Sequence, residues 1–200
     1  MEHELLSLPG YTACEFLLVL QPHDELWNAI RQEKDYFKEQ YKCETTFGLP
    51  HITFVKFQQY EMMQPRIVQY LRAVAVELPV IKVELKNYGS FPSHTIYINI
   101  TSKVPITETV KAIRSTQKLM KMDKDHKPHF IMEPHLTIAR KLQPWQYEKA
   151  WLEYEHKDFH GRFMADHMLL LKRRPGEKYQ KVGKFEFKNQ SQKAVQKGLF

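Results

Sequence analysis

The pentapeptide Pro50-His51-Ile52-Thr53-Phe54 returns as Pro134-His135-Leu136-Thr137-Ile138, about eighty residues further along a chain of 200. Each copy reads Pro, His, aliphatic, Thr, apolar. On a β-strand successive side chains alternate between faces, so His51 and Thr53 share one face while Ile52 and Phe54 take the other. The second copy behaves alike, with His135 and Thr137 together and Leu136 and Ile138 opposite. Two similar halves that set these strands side by side about a pseudo-two-fold axis would bring two imidazoles and two hydroxyls to one cleft. Such a cleft can hold an anion between a base and an acid.

The flanking sequence supplies the elements such halves need. Residues 12–21 are mostly apolar and read as a first strand; 24–43 carry Leu26, Trp27, Ile30, Phe37 and Tyr41 roughly at helical spacing. After the first His-x-Thr strand, 65–77 reads as a helix with Pro in its first turn. Residues 80–85 and 94–101 alternate as a hairpin around a turn-rich 87–93, and 107–122 turns at helical period. The second His-x-Thr strand lies within 130–140. It is followed by a helix over 144–154, whose Trp145, Trp151 and Tyr154 read as a core stripe, and by strands over 163–172 and 179–187.

With the motifs and the element order in hand, the chain resembles the two-histidine phosphoesterase superfamily, in particular its 2′-5′ RNA ligase-like members. They carry paired H-x-[ST] motifs at about this spacing in chains of about this length. Pro134-His135-Leu136-Thr137-Ile138-Ala139-Arg140 is similar to the family's H-x-T-[LI]-[AG]-R strand, so Arg140 falls on a motif position. The first copy departs after Thr53, continuing Phe54-Val55-Lys56-Phe57-Gln58 where the family usually has apolar residues and Gly. The resemblance implies an α+β fold of two pseudo-symmetric lobes, each an antiparallel sheet with outer helices, and an active-site cleft between them. It is expected as a single bilobal domain over 1–190 with a flexible tail at 191–200.

The resemblance also implies a metal-independent phosphodiesterase that opens an RNA or nucleotide 2′,3′-cyclic phosphate, or a 2′-5′ linkage, to a 2′-phosphate. The residue types suit that chemistry. Imidazole titrates near ~6.5, so one histidine can be a neutral base while its partner is a cationic acid; His51 is expected as the acid and His135 as the base. Thr53 and Thr137 can donate hydroxyl hydrogen bonds to non-bridging phosphate oxygens. Arg140 is a further phosphate ligand, although three residues beyond Thr137 it points away on an ideal strand unless a bulge or the strand end redirects it. The scheme calls for no cofactor and no metal; His126, His129 and His135 are close in sequence but lack a carboxylate at regular spacing. The competing reading is a non-catalytic RNA- or nucleotide-binding module on the same fold.

Composition narrows the partners. A formal charge of +7 favours an anionic ligand, and Lys124-Asp125-His126-Lys127 and Lys172-Arg173-Arg174 are candidates for steering RNA to the cleft mouth. Phe47, Tyr88 and Phe91 are read as core residues, with base stacking as the alternative. The longest apolar runs are of strand length, which speaks against a membrane partner. Met1-Glu2-His3-Glu4 lacks the build of an export leader, so cytoplasmic residence, reduced Cys14 and Cys43, and a monomer are expected.

Overall fold

The computed structural model describes residues 10–43, 48–92 and 94–190. Phe47, the first residues of the chain and the expected tail at 191–200 lie outside this set. Among the described residues nine strands form one sheet: β1 (Ala13–Leu20), β2 (Ile52–Tyr60), β3 (Ile81–Phe91), β4 (Thr95–Ile100), β5 (His129–Phe130), β6 (His135–Arg140), β7 (His160–Ala165), β8 (His167–Arg173) and β9 (Gln180–Glu186). The helices are α1 (Asp24–Tyr41), α2 (Gln64–Glu77), α3 (Lys103–Ile113), α4 (Gln117–Met120) and α5 (Pro144–Tyr154).

The strand order is β7-β3-β4-β6-β2-β1-β8-β9, with the short β5 also pairing with β2. Every pairing is antiparallel. The fold is therefore α+β, as the sequence implies. Ala165 ends β7 and His167 begins β8, so one residue joins strands that are six steps apart in the sheet. Two residue steps reach about 7 Å, whereas six strand spacings in a flat sheet cover about 29 Å. The sheet must therefore be strongly curled.

Helices pack on one side of this sheet. The stripe Ile30, Phe37 and Tyr41 of α1 is buried, as are Ile67 and Leu71 of α2 and Ile106, Val110 and Ile113 of α3. These join Phe16, Leu18, Ile52, Phe54, Ile98, Leu136 and Ile138 of the strands in one continuous core. The helix after β1 packs on β6 and β7, and the helix after β4 packs on β2. Each connection thus crosses to the opposite half and ties the halves together. Around α1 and α5 the core is aromatic, with Tyr154 against Phe37 at 5.3 Å and against Tyr88 at 4.8 Å between ring centres. Cys14 and Cys43 are buried and are not joined in a disulfide. No helix among the described residues is long and apolar enough to cross a membrane.

Four local expectations change. Residues 87–91 are not a turn: β3 runs on to Phe91, and Asn87, at φ 55°, absorbs a bulge between Leu85 and Tyr88 while donating its N–H to the Phe159 carbonyl at 2.7 Å. A short polar side chain tolerates the left-handed conformation that this bulge requires. The helix expected over 107–122 begins at Lys103 and breaks into a 3₁₀ turn at Arg114–Thr116. Residues 163–172 are two strands, because Asp166 leaves β7 and its carbonyl accepts the Phe187 N–H at 2.8 Å; no Gly or Pro marks the break. Trp145 is 54% exposed, while Tyr154 of the same expected stripe is fully buried.

Candidate active site

Strands β2 and β6 meet at a single registered pair, Ile52 opposite Leu136, each the middle residue of a His-x-Thr triplet. Both are fully buried in the helix-side core, so the residues on either side of them turn to the other face. The antiparallel register sets His51 beside Thr137 and Thr53 beside His135. All four are half-buried, and they are brought together as the sequence suggests.

The two rings are held in the same way. His51 Nδ1 lies 2.6 Å from the Leu49 carbonyl, and His135 Nδ1 lies 2.8 Å from the Glu133 carbonyl, each two residues back. A carbonyl can only accept, so each Nδ1 carries a proton and each Nε2 is the ring nitrogen left to take up or give a proton.

A bulge follows each threonine. Across from β1, Thr53 pairs with Val19 but Leu18 pairs with Val55; across from β4, Thr137 pairs with Tyr97 but Ile96 pairs with Ala139. Each strand thus buries two consecutive residues, Phe54-Val55 and Ile138-Ala139. The extra residue reverses the alternation, and Lys56 and Arg140 return to the face of Thr53 and Thr137. The condition set for Arg140 is met by this bulge, and Lys56 occupies the matching place in the other half.

The surroundings of the rings differ. Burial pushes the His51 pKa below its ordinary value, and the charges of Lys34, Arg140 and His135 push it the same way against the Leu49 carbonyl. Burial also lowers His135, opposed by its hydrogen bond to the Glu133 backbone and by the Glu133 carboxylate. His135 is walled by Phe91 and Tyr97, whose ring centres lie 5.0 and 5.2 Å away, and Asn99 is its partner on β4. Tyr88, by contrast, is a core residue. A depression lined by His23, Lys82, Arg162, Phe163 and Met164 lies elsewhere, at the β3–β7 edge, and includes none of these groups. Among the described residues no three His, Cys, Asp or Glu side chains form a cluster that could hold a metal ion.

The match to the family model of the 2′-5′ RNA ligase superfamily covers residues 22–177, most of the chain and both motifs. The chain belongs to the 2′-5′ RNA ligase superfamily. A relative from Geobacillus kaustophilus (strain HTA426), provisionally named a phosphoesterase, is 26% identical over 145 residues, covering 71% of this chain and 80% of its own. A similarly named protein of Geobacillus sp. (strain WCH70) is 25% identical over the same shares. In fold, the chain is similar to E. coli LigT complexed with 3′-AMP, at a TM-score of 0.59 and 12% identity, covering 88% of this chain and 98% of LigT. LigT complexed with ATP gives a TM-score of 0.57 at 11% identity over the same shares.

Besides Tyr97 and Asn99, the structure adds a buried lysine near the histidines that sequence reasoning passed over. Lys34 occupies the gap in the buried stripe of α1, between Ile30 and Phe37, and is only 6% exposed. Its Nζ donates to the Gly48 carbonyl at 2.8 Å, just before His51. Burial and the Arg140 guanidinium push its pKa down to about 8. The signal was present in the sequence: a lysine where the helical period calls for an apolar residue. Of the basic run at 172–174, Lys172 and Arg174 bind Glu61 at 2.6 and 2.9 Å, whereas Arg173 reaches Glu15 on β1.

Proposed function

We propose that this chain is a metal-independent cyclic phosphodiesterase that opens an RNA or nucleotide 2′,3′-cyclic phosphate, or a related 2′-5′ linkage, with His51 and His135 as its acid–base pair. The observation that carries the reading is the Ile52–Leu136 pairing, whose register sets the His and Thr side chains of both triplets on one face, with each Nδ1 hydrogen-bonded to a backbone carbonyl and each Nε2 available for proton exchange. Superfamily membership supports it, as do the nucleotide complexes of LigT, a protein of similar fold.

In the reaction one histidine takes a proton from water through Nε2 as the water oxygen bonds to phosphorus. The bond from phosphorus to the ribose 3′-oxygen breaks, and that oxygen takes a proton from Nε2 of the other histidine. One water is consumed and a 2′-phosphate results. Thr53 and Thr137 donate to the non-bridging oxygens, where charge builds in the transition state, and Arg140 balances the phosphate charge. Neighbouring charges favour the reverse of the expected division of labour. The cations Lys34 and Arg140 favour neutral His51, the base, and the Glu133 carboxylate favours protonated His135, the acid.

The test is to incubate the protein and EDTA with adenosine 2′,3′-cyclic phosphate and with a short RNA ending in a 2′,3′-cyclic phosphate, and to assign the products by chromatography. A 2′-phosphate product supports the reading. Binding of either compound without turnover assigns the cleft to a nucleotide-binding module instead.

A further inference from the structure

On the face that carries the histidines, β1 presents Glu15, Leu17 and Val19, since Cys14, Phe16 and Leu18 belong to the helix-side core. Beyond the apolar patch of Leu17, Val19 and Leu169 lies a charged group. Glu15 accepts from Lys56 Nζ at 2.5 Å, from Arg173 through two nitrogens at 2.7 and 2.9 Å, and from the Tyr179 hydroxyl. The Arg173 guanidinium lies over the Tyr179 ring at 4.8 Å, and His129 of β5 is the cross-strand partner of Lys56.

Two features single this group out. Its charges do not cancel: two basic side chains share one carboxylate, which is held below its ordinary pKa by Lys56, Tyr179 and Arg173 despite burial. Its layout also faces outward, because the Glu15 side chain is 14% exposed while those of Lys56 and Arg173 are 44% and 43% exposed. The carboxylate beneath fixes the two cations, and a guanidinium and an ammonium together have more N–H donors than one carboxylate can accept. Lys56 stands three residues beyond Thr53, about 10 Å along the strand less the shortening of the bulge. Arg140 leaves its strand at the other end of the pairing from Lys56, because β2 and β6 are antiparallel, while its charge is felt at Tyr179.

We infer that Lys56 and Arg173, braced by Glu15, form a second anion subsite that binds the phosphate next to the reacting one, so that the chain prefers an oligonucleotide end to a mononucleotide cyclic phosphate. The inference rests on the phosphodiesterase reading and adds the substrate class to it. A mononucleotide cyclic phosphate has no second phosphate to offer. An oligonucleotide laid along β2 offers one, and the side chain of Lys56 covers the remaining distance.

The test compares two substrates that differ in one charge: an adenylyl dinucleotide closed by a 2′,3′-cyclic phosphate, and the same compound with a methylphosphonate as its internal linkage. In the wild-type protein the charged linkage should raise kcat/KM about tenfold, as for one charge-assisted contact. That advantage should shrink to about twofold or less in Lys56→Gln and in Arg173→Gln, and return in Lys56→Arg. Equal kcat/KM for the two linkages in the wild-type protein overturns the subsite and leaves the phosphodiesterase reading intact, with no variant needed. Turnover of neither compound, nor of the mononucleotide, overturns that reading and this inference with it.

Discussion

Lys34, on the buried face of α1, donates a 2.8 Å hydrogen bond to the carbonyl of Gly48, three residues before His51. A cation is thus set inside the core edge next to an imidazole whose protonation it opposes. Replacing Lys34 with Met removes that charge, so the pKa of His51 should rise. The charged neighbours that remain are Arg140 and His135. In a kcat/KM against pH profile the acidic limb should move to higher pH, because a base must be deprotonated to act. Movement of the alkaline limb instead would make His51 the acid, and an unmoved profile would remove Lys34 from the electrostatics of the site.

The same lysine makes a stability prediction. Its folded pKa of about 8 lies below the unfolded value near ~10.4, so the folded state holds fewer protons between them. The stabilisation is complete above the unfolded value and is lost as pH falls through about 8. Urea unfolding of wild type and Lys34→Met should therefore show wild type gaining on the variant by about 3 kcal/mol from pH 7 to pH 10.5. A difference that does not change with pH would contradict this.

Gly89 sits on the cleft face opposite Tyr97, and an added Cβ there would come within 2.7 Å of the Tyr97 ring and 2.5 Å of Asn99 Oδ1. Neither moves freely: Asn99 Nδ2 donates to the Tyr88 carbonyl at 2.7 Å, and Tyr97 is packed between Phe91 and His135. Gly89→Ala should therefore cost about 1–3 kcal/mol in stability and lower kcat/KM about tenfold, since small misplacements of reacting groups are costly. Melting and steady-state kinetics on one preparation read both. Full activity with a strained Tyr97 would sever the link to His135.

The threonines should act on the chemical step more than on binding. Thr137→Val keeps shape and removes one donor, and loss of a single oxyanion donor typically lowers kcat about 10²–10³-fold. Thr53→Val should match it to within about tenfold if the two halves contribute equally. A rise in KM alone would mean that the hydroxyls only hold the ground state.

Much of this architecture was legible because the His-x-Thr triplets state their own face: with Ile52 and Leu136 apolar and His and Thr flanking, only one register buries the right residues. The sites less easily read depend on tertiary choices. The bulges that turn Lys56 and Arg140 into the cleft are written as the apolar pairs Phe54-Val55 and Ile138-Ala139, a pattern that a buried strand also shows. Asp166 splits an unbroken strand pattern because the curl of the sheet, not a turn residue, requires it. Phe91 was grouped with Tyr88 and differs from it in role, since one walls His135 and the other fills the core; three residues apart on a regular stretch of β3 they face opposite ways, and the bulge at Asn87 between Leu85 and Tyr88 decides which of them faces the core.

Hydrolysis of an RNA 2′,3′-cyclic phosphate end in the presence of EDTA by wild type, His51→Ala and His135→Ala, with melting curves as the check on folding, decides whether the paired histidines are the acid and the base. Wild type should turn over and each variant should lose at least about 10²-fold, the least expected from removing a general acid or base, with melting preserved. Undiminished turnover by either folded variant would contradict that assignment.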